Sequence, residues 1–325
     1  MFYKQEKQDK NKQRLLQRLE KDGTPDFITR YLTNLESKES GINYWVAIRD
    51  LLNTMLEKKV IDKATIADIT PEDFCLIDYV DIDNYLEEKE AGGMSPTTLN
   101  TRKNNFRSFF GYLAESDKYP VKTNCIKKSR YKGLGANAMN RYKKLPTDEQ
   151  VEQMLEKITH KQEELVRERN LAIVHLFLGS GMRVSEVVGL NLEDLCLQDD
   201  SPHVLILGKG EYKARQARKV FLTGSATEAL KKWLSVRSNL NEIDKTNAVF
   251  VTKTLNRMTE TGIKKMFSNY ADFTPHQLRH YYATVMPAKT SIQFVMQNLG
   301  HKRAETTLNN YTNGHYGMSD VLANL

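Results

Sequence analysis

Apolar residues recur at helical spacing through most of the first half of the chain. Phe27, Ile28, Tyr31, Leu32 and Leu35 share one face, and Trp45, Ile48, Leu51, Leu52 and Met55 repeat the 3.6-residue period. Thr70-Pro71-Glu72 and Ser95-Pro96-Thr97 each place a capping hydroxyl before a proline at the first helical position, so further helices are predicted to start there. The helix from Ser95 turns Leu99, Phe106, Phe109, Phe110 and Leu113 inward and is expected to leave Arg102, Lys103 and Arg107 outside. Four or five helices are expected between residues 27 and 113. Before them, Leu15, Leu16 and Leu19 give a basic opening segment, residues 1–21, a late apolar contact, and Asp22-Gly23-Thr24-Pro25 stops it.

A second start signal, Leu145-Pro146-Thr147-Asp148-Glu149, opens a helix with an acidic first turn. Helical pattern continues through Leu171, Val174, His175 and Leu178, and then the period changes. Residues 203–210 (HVLILGKG) and 218–222 (RKVFL) are β-branched or apolar runs around a polar, glycine-containing stretch, which predicts an antiparallel hairpin with Lys209 near its tip. Ala248 to Thr252 reads as another short strand or a buried entry to a helix, and the rest is helical. The pattern therefore predicts two domains: an all-α N-terminal domain, and a mainly α domain carrying a small antiparallel β-sheet.

The length of 325 residues supports the same division, because one core seldom serves so long a chain. We place a basic segment at 1–21, a helical domain at 22–117, a basic linker at 118–145 and the second domain at 146–325. Three cysteines, Cys75, Cys125 and Cys196, include no C-x-x-C pair and suit a reducing, cytoplasmic setting. No run of eighteen apolar residues and no apolar leader is found, so no membrane association is expected.

Charge changes the picture through its distribution. The net charge is +7, yet residues 118–144 hold nine bases and no acid, so the rest of the chain is slightly acidic. Those bases are Lys118, Lys122, Lys127, Lys128, Arg130, Lys132, Arg141, Lys143 and Lys144, interleaved with Tyr119, Tyr131 and Tyr142. An extended strap of this composition suits a polyanion, and with the basic helix face of Arg102, Lys103 and Arg107 it forms a plausible wall for DNA. A solvated linker is the plainer reading of the same charges.

Three short stretches carry candidate chemistry. Thr274 and Pro275 start a helix on which His276 and Arg279, three apart, face the same way near the positive end of the dipole, a place where donors converge on an anion. Gly179-Ser180-Gly181 turns the chain so that Arg183 can enter a cleft; the plain alternative is a surface pair with Glu186. Leu299-Gly300 stops a helix just before His301, and Tyr311 follows ten positions later.

Taken in order, residues 181–190 (GMRVSEVVGL), the hairpin GKG at 208–210, residues 276–284 (HQLRHYYAT), LGH at 299–301 and a tyrosine near the end resemble the tyrosine recombinases, the family of phage integrases and Xer-type proteins. The resemblance implies one active site of Arg183, Lys209, His276, Arg279, His301 and the nucleophile Tyr311, on a catalytic fold preceded by a helical core-DNA-binding domain. It further implies a 3′-phosphotyrosyl intermediate, no cofactor, and a homo-tetramer on double-stranded DNA at specific core sites. The tail after Tyr311, ending in SDVLANL, is then expected to dock on a neighbouring subunit or in cis. The spacing from His301 to Tyr311 is one residue longer than is usual in the family, and Tyr316 is the rival nucleophile. His175, His203 and His280 read as structural, as do Tyr270, Tyr281 and Tyr282.

The residues agree with such chemistry independently. A phenol with a pKa near ~10 is a poor nucleophile at neutral pH, and charge building on a phosphodiester must be met by fixed donors, which two arginines and two histidines supply. No HExxH, paired-carboxylate or Walker pattern points to a metal or a nucleotide. A DNA-binding homologue without catalysis, and a type IB topoisomerase-like nicking-closing enzyme, are the other classes the motifs allow.

Overall fold

The computed structural model describes residues 2–132, 145–206 and 217–300. The chain divides into two compact units, Met1–Arg141 and Tyr142–Leu325.

Unit one is helical: α1 (Phe2–Lys21), α2 (Asp26–Asn34), α3 (Lys38–Glu57), α4 (Tyr79–Ala91) and α5 (Pro96–Glu115). The predicted starts fare differently. Ser95 accepts the Thr98 amide at 3.3 Å with Pro96 at the first position, and α5 runs twenty residues. Thr70 is capped reciprocally by Asp73, but only a 3-10 turn, Pro71–Cys75, follows. Asp78 restarts the chain with its own capping box to Asp81, so α4 begins there instead.

The core is aromatic. Phe109 on α5 meets Tyr31 at 5.0 Å, Phe74 at 5.4 Å and Phe27 at 6.5 Å between ring centroids. Leu15 and Leu19 of α1 are buried in the same core, while Leu16 stays exposed. Asp22, just after α1, accepts from Trp45 Nε1 and Arg49 Nη1, each at 2.8 Å, and so ties the end of α1 to α3.

Over its described part, residues 118–132, the basic segment differs from the extended strap expected of it. Val121, Cys125, Ile126 and Tyr131 are buried in the core of unit one, with a 3-10 turn at Cys125–Lys128. The apolar residues among the bases pull the backbone onto α4 and α5, as burial of ordinary core side chains does elsewhere.

Unit two contains α6 (Asp148–Thr159), α7 (Glu164–Ser180), α8 (Val184–Gly189), β1 (Leu195–Cys196), β2 (His203–Ile206), β3 (Arg218–Phe221), α9 (Gly224–Ser238), α10 (Glu260–Tyr270), α11 (Pro275–Val285) and α12 (Ile292–Leu299). The predicted hairpin is β2 against β3, antiparallel with Val204 opposite Val220. β1 adds a third strand that two residues of pattern could not announce. Ala248–Val251 is buried and forms isolated bridges, Asn191 to Ala248 and Val251 to Arg257, rather than a strand of the sheet. α7 is apolar on most of its surface, with Ala172, Ile173, Val174, Leu176 and Phe177 buried at its centre. It is the post around which α9 and α11 pack. Among the described residues no helix is long and apolar enough to cross a membrane.

Candidate active site

The site grows from the end of α7. Gly181 takes the left-handed conformation, φ +61°, and closes the helix with its amide on the Phe177 carbonyl at 3.0 Å. Two residues later Arg183 caps α8, its amide held by Glu186 Oε2 at 2.7 Å and its guanidinium by Oε1 at 2.9 Å. A surface pair it is not. The Glu186 side chain is 7% exposed and also receives both ends of the Arg218 fork, Nη1 on Oε1 and Nη2 on Oε2, each at 3.2 Å. Arg183 itself keeps 47% of its side chain in solvent, the half of the cluster open to a ligand.

Arg279 on α11 is buried beside them. Its Nη1 donates to the Gly181 carbonyl and its Nη2 to the Leu299 carbonyl at 2.7 Å, so one guanidinium joins the ends of α7 and α12. Burial, then the nearby charges of Arg183 and Arg218, lowers its pKa to about 10, with Glu186 opposing them. Three guanidinium groups, those of Arg183, Arg218 and Arg279, gather around the Glu186 carboxylate, an arrangement electrostatically suited to an anion.

α12 is registered by a residue the sequence reading passed over. Asn298, fully buried, accepts the Phe221 amide at 2.8 Å and donates to the Phe221 carbonyl at 2.9 Å, as a neighbouring strand would. It also donates to Tyr282 Oη at 2.9 Å. Arg218, on the same strand, reaches the Asn298 carbonyl at 3.4 Å. Gly300 then closes α12 at φ +65°, as expected, and a Cβ there would lie 2.7 Å from Arg218 Nε.

His276 sits in the first turn of α11, behind a Thr274–Gln277 capping box. His280, read as structural, lies one turn on from His276, and the two imidazoles meet edge to face with Nε2 atoms 3.0 Å apart. His203 is buried with Nδ1 2.9 Å from the Ser201 carbonyl. Around the β1–β2 connection, Cys196 and Asp199 bring a thiol and a carboxylate within 4.8 Å of its imidazole nitrogens. Lys209, His301 and Tyr311 lie outside the described residues, as do Arg141, Lys143 and Lys144.

The structure thus groups Arg183 and Arg279 and puts His276 one turn from Arg279, while Arg218, Glu186 and Asn298 hold the group together. The only signal for Arg218 is its place at the head of the predicted strand RKVFL.

In unit one, two of the three bases expected outside on α5 turn inward. Arg102 bonds Asp50 and Tyr85 Oη, and Asp50 also takes Tyr85 Oη at 2.8 Å and Lys89 at 3.1 Å. Burial raises the Asp50 carboxyl, but the bonds from Arg102, Tyr85 and Lys89 outweigh it and hold the pKa below the usual range. Lys103 is buried, with Nζ 2.5 Å from the Tyr131 carbonyl. Polar periodicity predicts both outward; the half-buried Asp50 carboxylate and the Tyr131 carbonyl draw them in. Arg107 stays exposed beside Asn104, and Lys127, Lys128, Arg130 and Lys132 are exposed too.

The Gly181 turn is testable. A Cβ at position 181 would lie 2.4 Å from Tyr282 Cδ1 and 2.8 Å from Leu299 Cδ2, in a backbone conformation that side chains disfavour. Gly181→Ala is expected to destabilise the protein by at least about 2 kcal/mol in urea unfolding, because strain and overpacking add. An unfolding midpoint equal to that of wild type would show that the turn relaxes freely.

Residues 144–317 match the phage integrase family. Tyrosine recombinase XerC of Actinobacillus pleuropneumoniae serotype 7 is 31% identical over 233 residues, 68% of this chain and 70% of that protein. Tyrosine recombinase XerC of Vibrio cholerae is 28% identical over 226 residues, 66% and 67% of the two chains. Among solved structures, the pre-cleavage complex of the XerH site-specific recombinase with difH substrate aligns with TM-score 0.62 at 22% identity, covering 85% of this chain and 77% of that one. The Tn1549 transposon integrase bound to circular intermediate DNA aligns with TM-score 0.63 at 19% identity over 97% and 98%.

Proposed function

The chain belongs to the phage integrase family, and from that premise we propose that it is a site-specific DNA recombinase working through a 3′-phosphotyrosyl intermediate. The observation that carries this reading is the buried Arg279, held between two helix ends among Arg183 and Arg218, inside the matched segment.

In the proposed reaction Arg183 and Arg279 bind the non-bridging oxygens of the scissile phosphate, and His276 and His301 add donors. The Tyr311 oxygen attacks phosphorus while its proton passes to solvent water. The bond to the 5′ oxygen breaks, and Lys209 protonates that leaving oxygen. One phosphodiester is exchanged for another, so the bond is conserved and the 5′-hydroxyl of a partner strand reverses the step with no nucleotide consumed. Exposed Arg107, Lys127, Lys128, Arg130 and Lys132, followed by Arg141, Lys143 and Lys144, supply the sequence-independent contacts to duplex DNA, in the cytoplasm. Recombination of two sites calls for four subunits, with the tail beyond Tyr311 docking on a neighbour.

The test is a supercoiled plasmid carrying two direct repeats of DNA from the ends of the encoding element or replicon, in EDTA and without ATP. Deletion circles are expected. Relaxation that needs only one site would instead identify a topoisomerase-like enzyme, and a gel shift with unchanged topology a binding protein without catalysis.

A further inference from the structure

The segment at residues 129–131, just after the 3-10 turn, is gripped from both sides by opposite charges. From α4, Asp83 accepts the Ser129 hydroxyl on Oδ1 and the Arg130 amide on Oδ2 at 2.8 Å. From α5, Lys103 donates to the Tyr131 carbonyl at 2.5 Å and approaches the Ser129 carbonyl at 3.5 Å. The carboxylate takes the backbone and hydroxyl donors and the ammonium takes the carbonyls, so each charge meets the group it can pair with. Ile126 and Tyr131 are buried beneath the same stretch, and Lys127, Lys128, Arg130 and Lys132 are left facing out.

A segment of this composition without the grip is a solvated linker, whose bases must each be immobilised when they meet a phosphate. We propose that Asp83 and Lys103 are positioning residues for DNA: they fix the first half of the basic segment as a ridge that presents Lys127, Lys128, Arg130 and Lys132 together to a duplex backbone. Lys103 thereby acts on DNA through the segment it holds rather than by touching a phosphate. The proposal rests on the reading that this chain works on duplex DNA.

Its sign separates it from simple electrostatics. Asp83→Ala removes a negative charge beside a basic surface, which by charge alone tightens binding to DNA. Loss of the grip weakens it. The experiment is fluorescence anisotropy of the full chain on a random-sequence duplex across a salt series, with amide hydrogen exchange at Arg130 measured in parallel. Asp83→Ala is expected to weaken binding about three- to tenfold, with a salt slope shallower by about one unit as a phosphate contact is lost. Arg130 amide protection should fall with it. Ser129→Ala, which changes no charge and takes away only one hydroxyl, is expected to move affinity in the same direction by less, and keeps the test open should Asp83→Ala fold poorly. Equal or tighter binding by both variants overturns the grip while leaving DNA binding intact. A wild-type chain that binds no duplex at low salt overturns the DNA reading beneath it.

Discussion

Mixed with nicked duplex from its own recombination site, in EDTA and without ATP, the wild-type chain is expected to leave a slow, protease-sensitive DNA band on a denaturing gel, and Tyr311→Phe to leave none. The nick lets the short strand beyond the cleavage point diffuse away, so the 5′-hydroxyl that reverses the reaction is lost and the covalent complex accumulates. Phenylalanine keeps the ring and removes the only atom that bonds phosphorus, so the loss should reach the detection limit, a factor of about 10⁴ or more. Native gels should show the variant binding the same DNA, because the guanidinium cluster and the basic ridge are untouched. A band of equal strength from both proteins would move the nucleophile to Tyr316. Specific binding by both with no band from either would leave the arginine cluster as a phosphate-binding site without chemistry.

Elements that chemistry at a single residue dictates are legible in the sequence alone. Ser95-Pro96 starts α5 because a hydroxyl cap and a fixed φ act locally. Leu299-Gly300 ends α12 because glycine tolerates a positive φ. Short β-branched and apolar runs on either side of a polar, glycine-containing stretch are enough for β2 and β3. Elements decided by distant partners were not legible: β1 exists only through its pairing with β2, and Thr70 caps a mere turn because Asp78 offers another start eight residues on. The same rule divides the candidate site. Arg183 and Arg279 stand in motifs, and Arg279 is found beside Arg183, the first of the partners that depress its pKa after burial itself. Arg218 and Asn298 carry no motif, and their importance lies in bonds to Glu186 and Phe221, 32 and 77 positions away. Arg102 and Lys103 were misplaced for a related reason: a helical wheel reads a base as outward unless an acid or a carbonyl on a neighbouring element waits for it, and the half-buried Asp50 and the Tyr131 carbonyl do.

Arg279→Lys should be the most damaging conservative change among the described residues. The guanidinium serves two carbonyls at once, Gly181 and Leu299, and a lysine ammonium has no planar fork to span them. One buried carbonyl is then left without its donor, at a cost of about 1–3 kcal/mol in unfolding experiments. The phosphate loses a bidentate partner at the same time, and single-turnover cleavage of the nicked substrate is expected to slow by about 10²–10³. The pH dependence gives a sharper check. In wild type the Arg279 pKa, lowered to about 10 by burial and by Arg183 and Arg218, still leaves the group charged from pH 7 to pH 9. Its folded value lies below its ordinary one, so the folded state is penalised for holding that proton at every pH below about 10, and the penalty lifts as pH rises through it. Lysine begins from ~10.4, and the same burial and the same neighbours push it toward neutrality. Residual cleavage by Arg279→Lys should therefore fall as pH rises from 7 to 9, while this group leaves the wild-type rate flat over that range. A variant that cleaves at the wild-type rate with the wild-type pH profile would remove Arg279 from the phosphate and reduce it to a tie between the ends of α7 and α12.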